Sequence, residues 1–198
     1  MTGLYGGAFD PPHVGHVEVA RAAKEQFGLE GLIVLVAERP GHKDVYLPAE
    51  TRLELARAAF PDDDVRLRLA RAAFPDDDVL LDEHARTIDT LRAHPDWSDP
   101  VFLIGADEFA DFLSWKEPEE VLRRARLAVA TRPGFPRETL QAVLERLERP
   151  ERVLFFEIDP TPVASRELRA RLALGEDVGD EVPSAVGETI RSGGFYAG

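Results

Sequence analysis

Gly6-Gly7-Ala8-Phe9-Asp10-Pro11-Pro12-His13-Val14-Gly15-His16 is the stretch whose reading decides the fold. It follows a short apolar run, Leu4-Tyr5. It opens a pattern in which Val14, Val17 and Arg21, with Ala20, Ala23 and Phe27, recur at helical spacing up to Gly28. A strand, a glycine-bearing loop and a helix make the first unit of a parallel α/β sheet. Each part of the loop has a physical use. Gly6 and Gly7 let backbone N–H groups approach an anion with no Cβ in the way. Phe9 is expected to anchor the loop in the core, and Pro11 and Pro12 to stiffen it and start the helix. His13 and His16, three apart, share a face in the first helical turn, where the helix end adds partial positive charge. The string therefore reads as a phosphate site. The histidine pair alone also admits an incidental pairing, or half a zinc site completed by His42, His84, His94 or carboxylates.

Outward from the loop, apolar runs read as buried strands at Leu32–Ala37, Val79–Leu81, Val101–Ile104, Leu127–Ala130 and Val153–Phe156. Helical patterns separate most of them: Ala49–Phe60, Thr87–Ala93, Pro118–Arg124, Pro136–Leu147 and Ser165–Leu174. The alternation predicts a doubly wound parallel sheet, Rossmann-like, with a small helical C-terminal part, in a single domain over residues 1–198. Ligands in such sheets bind beyond the C-terminal strand ends, where strand order reverses. Residues 66–79 repeat residues 52–65 with one difference, Glu54 against Arg68. Two copies do not make a solenoid. One copy is expected to fill the helix position and the other, 66–79, to be an insertion. The triplets Asp62–Asp64 and Asp76–Asp78 read as solvated turns rather than metal ligands.

At 198 residues, 44% hydrophobic and 31% charged, the chain is ordinary for a globular protein. It has no cysteine, which excludes a disulfide scaffold and a thiolate metal site. No signal peptide is read at the N-terminus and no apolar run approaches a membrane span, so a cytoplasmic location and no membrane partner are expected. The net charge of −13 disfavours nucleic acid, whose binding needs a basic surface. A small anionic ligand needs only local N–H groups and cations. A homo-oligomer stays open.

Further elements follow in order: Gly41-His42-Lys43 after the second strand, Thr87-Ile88-Asp89-Thr90-Leu91 at a helix start, Gly105-Ala106-Asp107 and then Trp115, Thr131-Arg132-Pro133-Gly134, and Val163-Ala164-Ser165-Arg166-Glu167-Leu168-Arg169. Each alone has a bland reading. Asp107 and Thr87 are ordinary N-caps, Trp115 is core, and Lys43, Arg132 and Arg169 are solvated charges. Taken in order, together with Gly7-x-Phe9-x-Pro11-x-His13-x-Gly15-His16, they resemble the nucleotidyltransferase superfamily with HxGH motifs. Within it, the chain resembles the bacterial nicotinate-nucleotide adenylyltransferase family over nearly its whole length.

The resemblance implies transfer of the adenylyl group of ATP to nicotinate mononucleotide, giving deamido-NAD and pyrophosphate, with Mg²⁺ on the triphosphate and no metal held by the protein alone. It implies catalytic roles for His13, His16 and Arg169. It implies ATP contacts from Gly6, Gly7, Phe9, His13, His16, Gly105, Asp107, Arg132, Ser165 and Arg169, and acceptor contacts from Ala8, Lys43, Arg86, Thr87 and Trp115. The chain departs from the pattern at Ala164 and Arg166, where Ser and Thr are usual, at Ala85-Arg86, where Ser-Tyr is usual, and at Lys116, where an aromatic is common. These departures leave two alternatives open: a related adenylyltransferase acting on nicotinamide mononucleotide or phosphopantetheine, and a nucleotide-binding regulator without turnover.

Overall fold

The computed structural model describes residues 1–41, 44–61, 79–159 and 161–197. Its six strands are β1 (Thr2–Gly7), β2 (Gly31–Ala37), β3 (Val79–Asp82), β4 (Val101–Gly105), β5 (Arg126–Thr131) and β6 (Val153–Glu157). They form one sheet in the order β3-β2-β1-β4-β5-β6, with every neighbouring pair parallel. Strand order reverses between β1 and β4, so the crevice of this doubly wound sheet opens beyond Gly7 and Gly105.

The helices among the described residues are α1 (Val14–Phe27), α2 (Ala49–Ala59), α3 (Thr87–Ala93), α4 (Ala106–Ala110), α5 (Pro118–Arg124), α6 (Arg137–Leu144), α7 (Ser165–Ala173) and α8 (Ser184–Gly193). Consecutive strand residues bury on opposite faces, which is why the strands read as unbroken apolar runs. Leu4, Phe102, Ile104 and Leu127 pack with Ile88, Leu91, Val121 and Leu140 on the face of α3 to α6. Tyr5, Val34, Leu103 and Ala128 pack with Phe9, Ala20, Ala23 and Ala56 on the face of α1 and α2. A third cluster joins Leu55 and Ala59 of α2 to Leu168 of α7 and to Val186, Ile190 and Tyr196 at the C-terminal end.

Two expectations need correction, and one helix is not anticipated by the sequence. The helix expected over Pro136–Leu147 stops at Leu144, because Arg146 and Leu147 bond back three residues to Val143 and Leu144 and tighten the last turn. The prolines do not begin α1. Pro11 and Pro12 precede the cap, and His13 is the N-cap in an extended conformation. Helix α4 has only five residues, too short for a periodic pattern to reveal. The first repeat copy contributes residues 52–59 to α2, and the last residue of the second, Val79, begins β3. The expected insertion otherwise lies outside the described residues, as do both Asp triplets.

Arg52 holds the loops at the ends of two strands. Its side chain is only 1% exposed. Nε donates to the carbonyl of Leu47 (3.1 Å), Nη1 to those of Ala8 (2.9 Å) and Ala37 (2.8 Å), and Nη2 to that of Glu38 (3.0 Å). Buried carbonyls without donors are costly. Arg52→Met keeps the aliphatic stem and removes all four bonds. We expect it to lower unfolding free energy by about 3 kcal/mol or more, measured by urea denaturation. A loss below about 1 kcal/mol would show that water replaces the guanidinium.

Candidate active site

The loop after β1 is shaped by aromatic packing. A Cβ on Gly7 would sit 2.8 Å from the Phe9 ring, and one on Gly6 would sit 3.1 Å from Cζ of Phe102. A side chain at Gly7 would force the Phe9 ring to move, and one at Gly6 would press on Phe102, and both glycines keep a Cβ out of the approach to the backbone. Phe9 is buried as expected and holds φ of 50°, with its ring edge-on to Tyr5 and Phe60. Its neighbour Asp10 is also turned inward, at 1% exposure.

The backbone N–H of His13 donates to Nδ1 of His16 at 3.2 Å, and the two rings lie 3.8 Å apart. An accepting Nδ1 carries no proton, so the ring of His16 bears its N–H on Nε2. His13 is 8% exposed, and its Nδ1 has no hydrogen-bond partner among the described residues. Burial, aided by the positive charge of Arg132, pushes its pKa down from 6.5 to about 4. His13 is therefore a neutral ring at physiological pH, not a cation. Arg132 itself follows β5 and is exposed to the crevice side, where its charge also bears on buried Tyr5.

Helix α7 straps onto the same loop. Ser165 Oγ donates to the carbonyl of Pro11 (2.9 Å), and Arg169 Nη1 donates to the carbonyl of Asp10 (2.6 Å). Arg169 is thus not a solvated charge on an exposed face. On β4, Gly105 is the N-cap of α4, and its N–H donates to Glu108 Oε2 at 2.7 Å. Asp107 is therefore not the cap; it stands exposed in the first turn.

A second group lies on the face of α3. Arg86, not Thr87, occupies the N-cap position; Thr87 begins the helix. Arg86 is exposed, and Nη1 lies 3.3 Å from where a Cβ on Gly41 would stand. The start of α3 is tied to β3 through Asp82, which accepts from Thr90 Oγ1 (2.8 Å) and from the backbone of His84 (3.0 Å). Burial pushes the Asp82 carboxyl up. Trp115 is half-buried and edge-on to Phe112 at 5.3 Å. The residues that follow it pair with α3, Lys116 with Asp89 and Glu117 with Arg92. Ala8 offers its carbonyl to Arg52. Lys43 lies outside the described residues.

The sequence pattern of the cytidylyltransferase-like family matches residues 4–171. A Thermus thermophilus protein named as a probable nicotinate-nucleotide adenylyltransferase is 35% identical over 98% of this chain and 98% of its own length. The chain belongs to this family of nucleotidyltransferases. A Rubrobacter xylanophilus protein of the same name is 31% identical over 98% of this chain and 91% of its own. Among solved structures, Plasmodium falciparum nicotinic acid mononucleotide adenylyltransferase complexed with NaAD shares the fold. Its TM-score is 0.67 at 17% identity, over 98% of this chain and 96% of that one.

Within that fold the loop residues Gly6, Gly7, Phe9, His13 and His16 converge with Arg132, Ser165 and Arg169, while Gly105 ends the adjacent strand β4 and Asp107 lies in the first turn of α4 just beyond it. Arg86 and Thr87 stand at the start of α3, and Trp115 packs separately against the core cluster that includes Ile88 and Leu91 of that helix. Sequence reasoning missed Arg52, Asp10, Asp82 and Tyr196. Arg52 alone left a signal, since it lies at helical spacing with buried Leu55, Ala56 and Ala59.

The low pKa of His13 has a measurable sign. The unfolded chain takes up a proton near 6.5 and the folded protein only near 4, so the unfolded state is favoured as pH falls through that window. The stability linked to His13 is present above 6.5 and lost toward 4. Imidazole NMR signals of His13 should titrate with a midpoint near 4. A midpoint near 6.5 would place the ring in water and contradict its burial.

Proposed function

We propose that the protein joins ATP and nicotinate mononucleotide into deamido-NAD, releasing pyrophosphate, in the cytoplasmic synthesis of NAD. The observation that carries this reading is the strapping of Ser165 and Arg169 onto the loop backbone beside His13 and His16 at the β1–β4 crevice. That arrangement gathers N–H and cationic donors where a triphosphate needs them.

In this reading a 5′-phosphate oxygen of the acceptor attacks the α-phosphorus of ATP. The bond from that phosphorus to the bridging oxygen breaks, and pyrophosphate leaves with the electron pair. No covalent enzyme intermediate is required, so catalysis is positioning and charge stabilisation. The amides of Gly6 and Gly7 meet phosphate oxygens, and Phe9 holds the loop. His16 offers Nε2–H to the developing charge. His13, being neutral, contributes a hydrogen bond rather than a full charge. Arg132, Arg169 and the backbone N–H of Ser165 at the start of α7 hold the β- and γ-phosphates, while the Ser165 hydroxyl holds the loop, and Gly105 and Asp107 border the ribose. Ala8, Lys43, Arg86, Thr87 and Trp115 receive the acceptor. Trp115 stacks on its ring, and the N–H groups at the start of α3 face its carboxylate.

Mg²⁺, when bound, neutralises phosphate charge. Among the described residues no group of three or more His, Asp or Glu side chains is arranged to hold a metal. Also among the described residues, no helix is long and apolar enough to cross a membrane. The net charge of −13 speaks against nucleic acid as a partner. We further propose one domain over residues 1–198, with 66–79 an insertion.

Pyrophosphate release with ATP, Mg²⁺ and a panel of acceptors tests the reading. Nicotinate mononucleotide should give a higher kcat/KM than its amide or phosphopantetheine, and His16→Ala should lower kcat by about 10²–10³ while remaining folded. Preference for another acceptor would reassign the substrate. No release with any acceptor would favour a regulator, a reading motivated by Ala164 and Arg166.

A further inference from the structure

Asp10 lies inside the phosphate loop but faces away from the crevice, and its carboxylate needs a donor for each oxygen because burial removes water. Those donors come from two segments remote in sequence. Tyr196 Oη donates to Oδ1 at 2.7 Å, and the backbone N–H of Tyr46 donates to Oδ2. The rings of Tyr46 and Tyr196 stack with centroids 5.8 Å apart. Arg169, whose Nη1 donates to the carbonyl of Asp10, stands 3.9 Å from Oδ2 of the same residue. Its other N–H donors have no hydrogen-bond partner among the described residues. Tyr196 is 3% exposed, and its φ of 66° is rare for a residue with a Cβ. An uncommon backbone conformation near a site is a reason to ask what it places there.

We infer that Tyr196 and Asp10 are positioning residues for the triphosphate: the Tyr196 hydroxyl fixes the Asp10 carboxylate, and Asp10 sets Arg169 with its remaining N–H donors toward the crevice. The inference rests on the nucleotide reading of the loop given above. Packing alone does not explain the hydroxyl. The ring of Tyr196 already joins the cluster of Leu55, Leu168 and Ile190, which a phenylalanine would serve equally. Burial and the neighbouring Asp10 keep the phenol protonated, so it remains a donor. Without it, Oδ1 loses its partner and the carboxylate is free to swing onto Arg169. That would draw the guanidinium into an internal ion pair and away from an incoming phosphate.

The test measures binding and steady-state kinetics of Tyr196→Phe, Asp10→Asn, Arg169→Ala and the double variant Tyr196→Phe/Arg169→Ala, with thermal melts for each. Tyr196→Phe should weaken ATP–Mg²⁺ about tenfold, the scale of one hydrogen bond to a charged group. The acceptor KM should stay unchanged. Asp10→Asn should show the same selectivity, and it carries the test should Tyr196→Phe not fold. In the Arg169→Ala background the Phe substitution should add nothing, because its effect runs through the guanidinium. Unchanged ATP affinity in folded Tyr196→Phe and Asp10→Asn would overturn the inference. So would equal rises in both substrates' KM, or additivity in the double variant. Normal ATP affinity in Arg169→Ala would instead sink the nucleotide reading itself.

Discussion

One guanidinium holds together what the rest of the site depends on. The loop after β1, the end of β2 with the turn after it, and the approach to α2 each present carbonyls to Arg52, which donates to all of them. A buried cation facing four carbonyl dipoles, with the Asp10 carboxylate nearby, is compensated, whereas the same groups unpaired would each cost free energy. The path of Ala8 to Asp10 follows from that anchor. So does the position of the two imidazoles that follow it, and α7 then closes on the loop through Ser165 and Arg169.

The site is therefore electrically unlike the surface around it. The chain carries a net charge of −13, yet the groups around the loop include the neutral ring of His13, amide donors and the arginines Arg132 and Arg169. Much of the outer charge is spent on exposed pairs such as Arg21 with Glu18 and Glu25, or Glu120 with Arg123 and Arg124. Such solvent-exposed pairs contribute little to stability. A polyanion approaching this protein meets long-range repulsion. Its affinity must come from short-range donors at the strand ends.

What the sequence makes legible is what local periodicity and close spacing encode. The six strands are apolar runs because both sheet faces are covered, and α1 ends at Gly28 because that residue adopts the left-handed cap conformation. The loop from Gly6 to His16 is legible for the same reason, being continuous in the chain. Arg52 is hidden because a charge in an amphipathic helix ordinarily faces water, and its place in a duplicated segment draws attention to the copy rather than the residue. The Asp10–Tyr196 bond spans 186 positions and leaves no local trace. His13 is read one step too far into the helix, since two prolines before it suggest a helix start when they instead shape the approach to the cap.

The central claim is that the Arg52-anchored loop and helix α7 form a single nucleotide seat. Amide hydrogen exchange with and without a non-hydrolysable ATP analogue and Mg²⁺ tests it directly. Binding should increase protection together in the loop from Gly6 to His16 and at the start of α7 around Ser165 to Arg169, with little change in α6. Protection that appears elsewhere while both of these segments exchange as before would contradict the account.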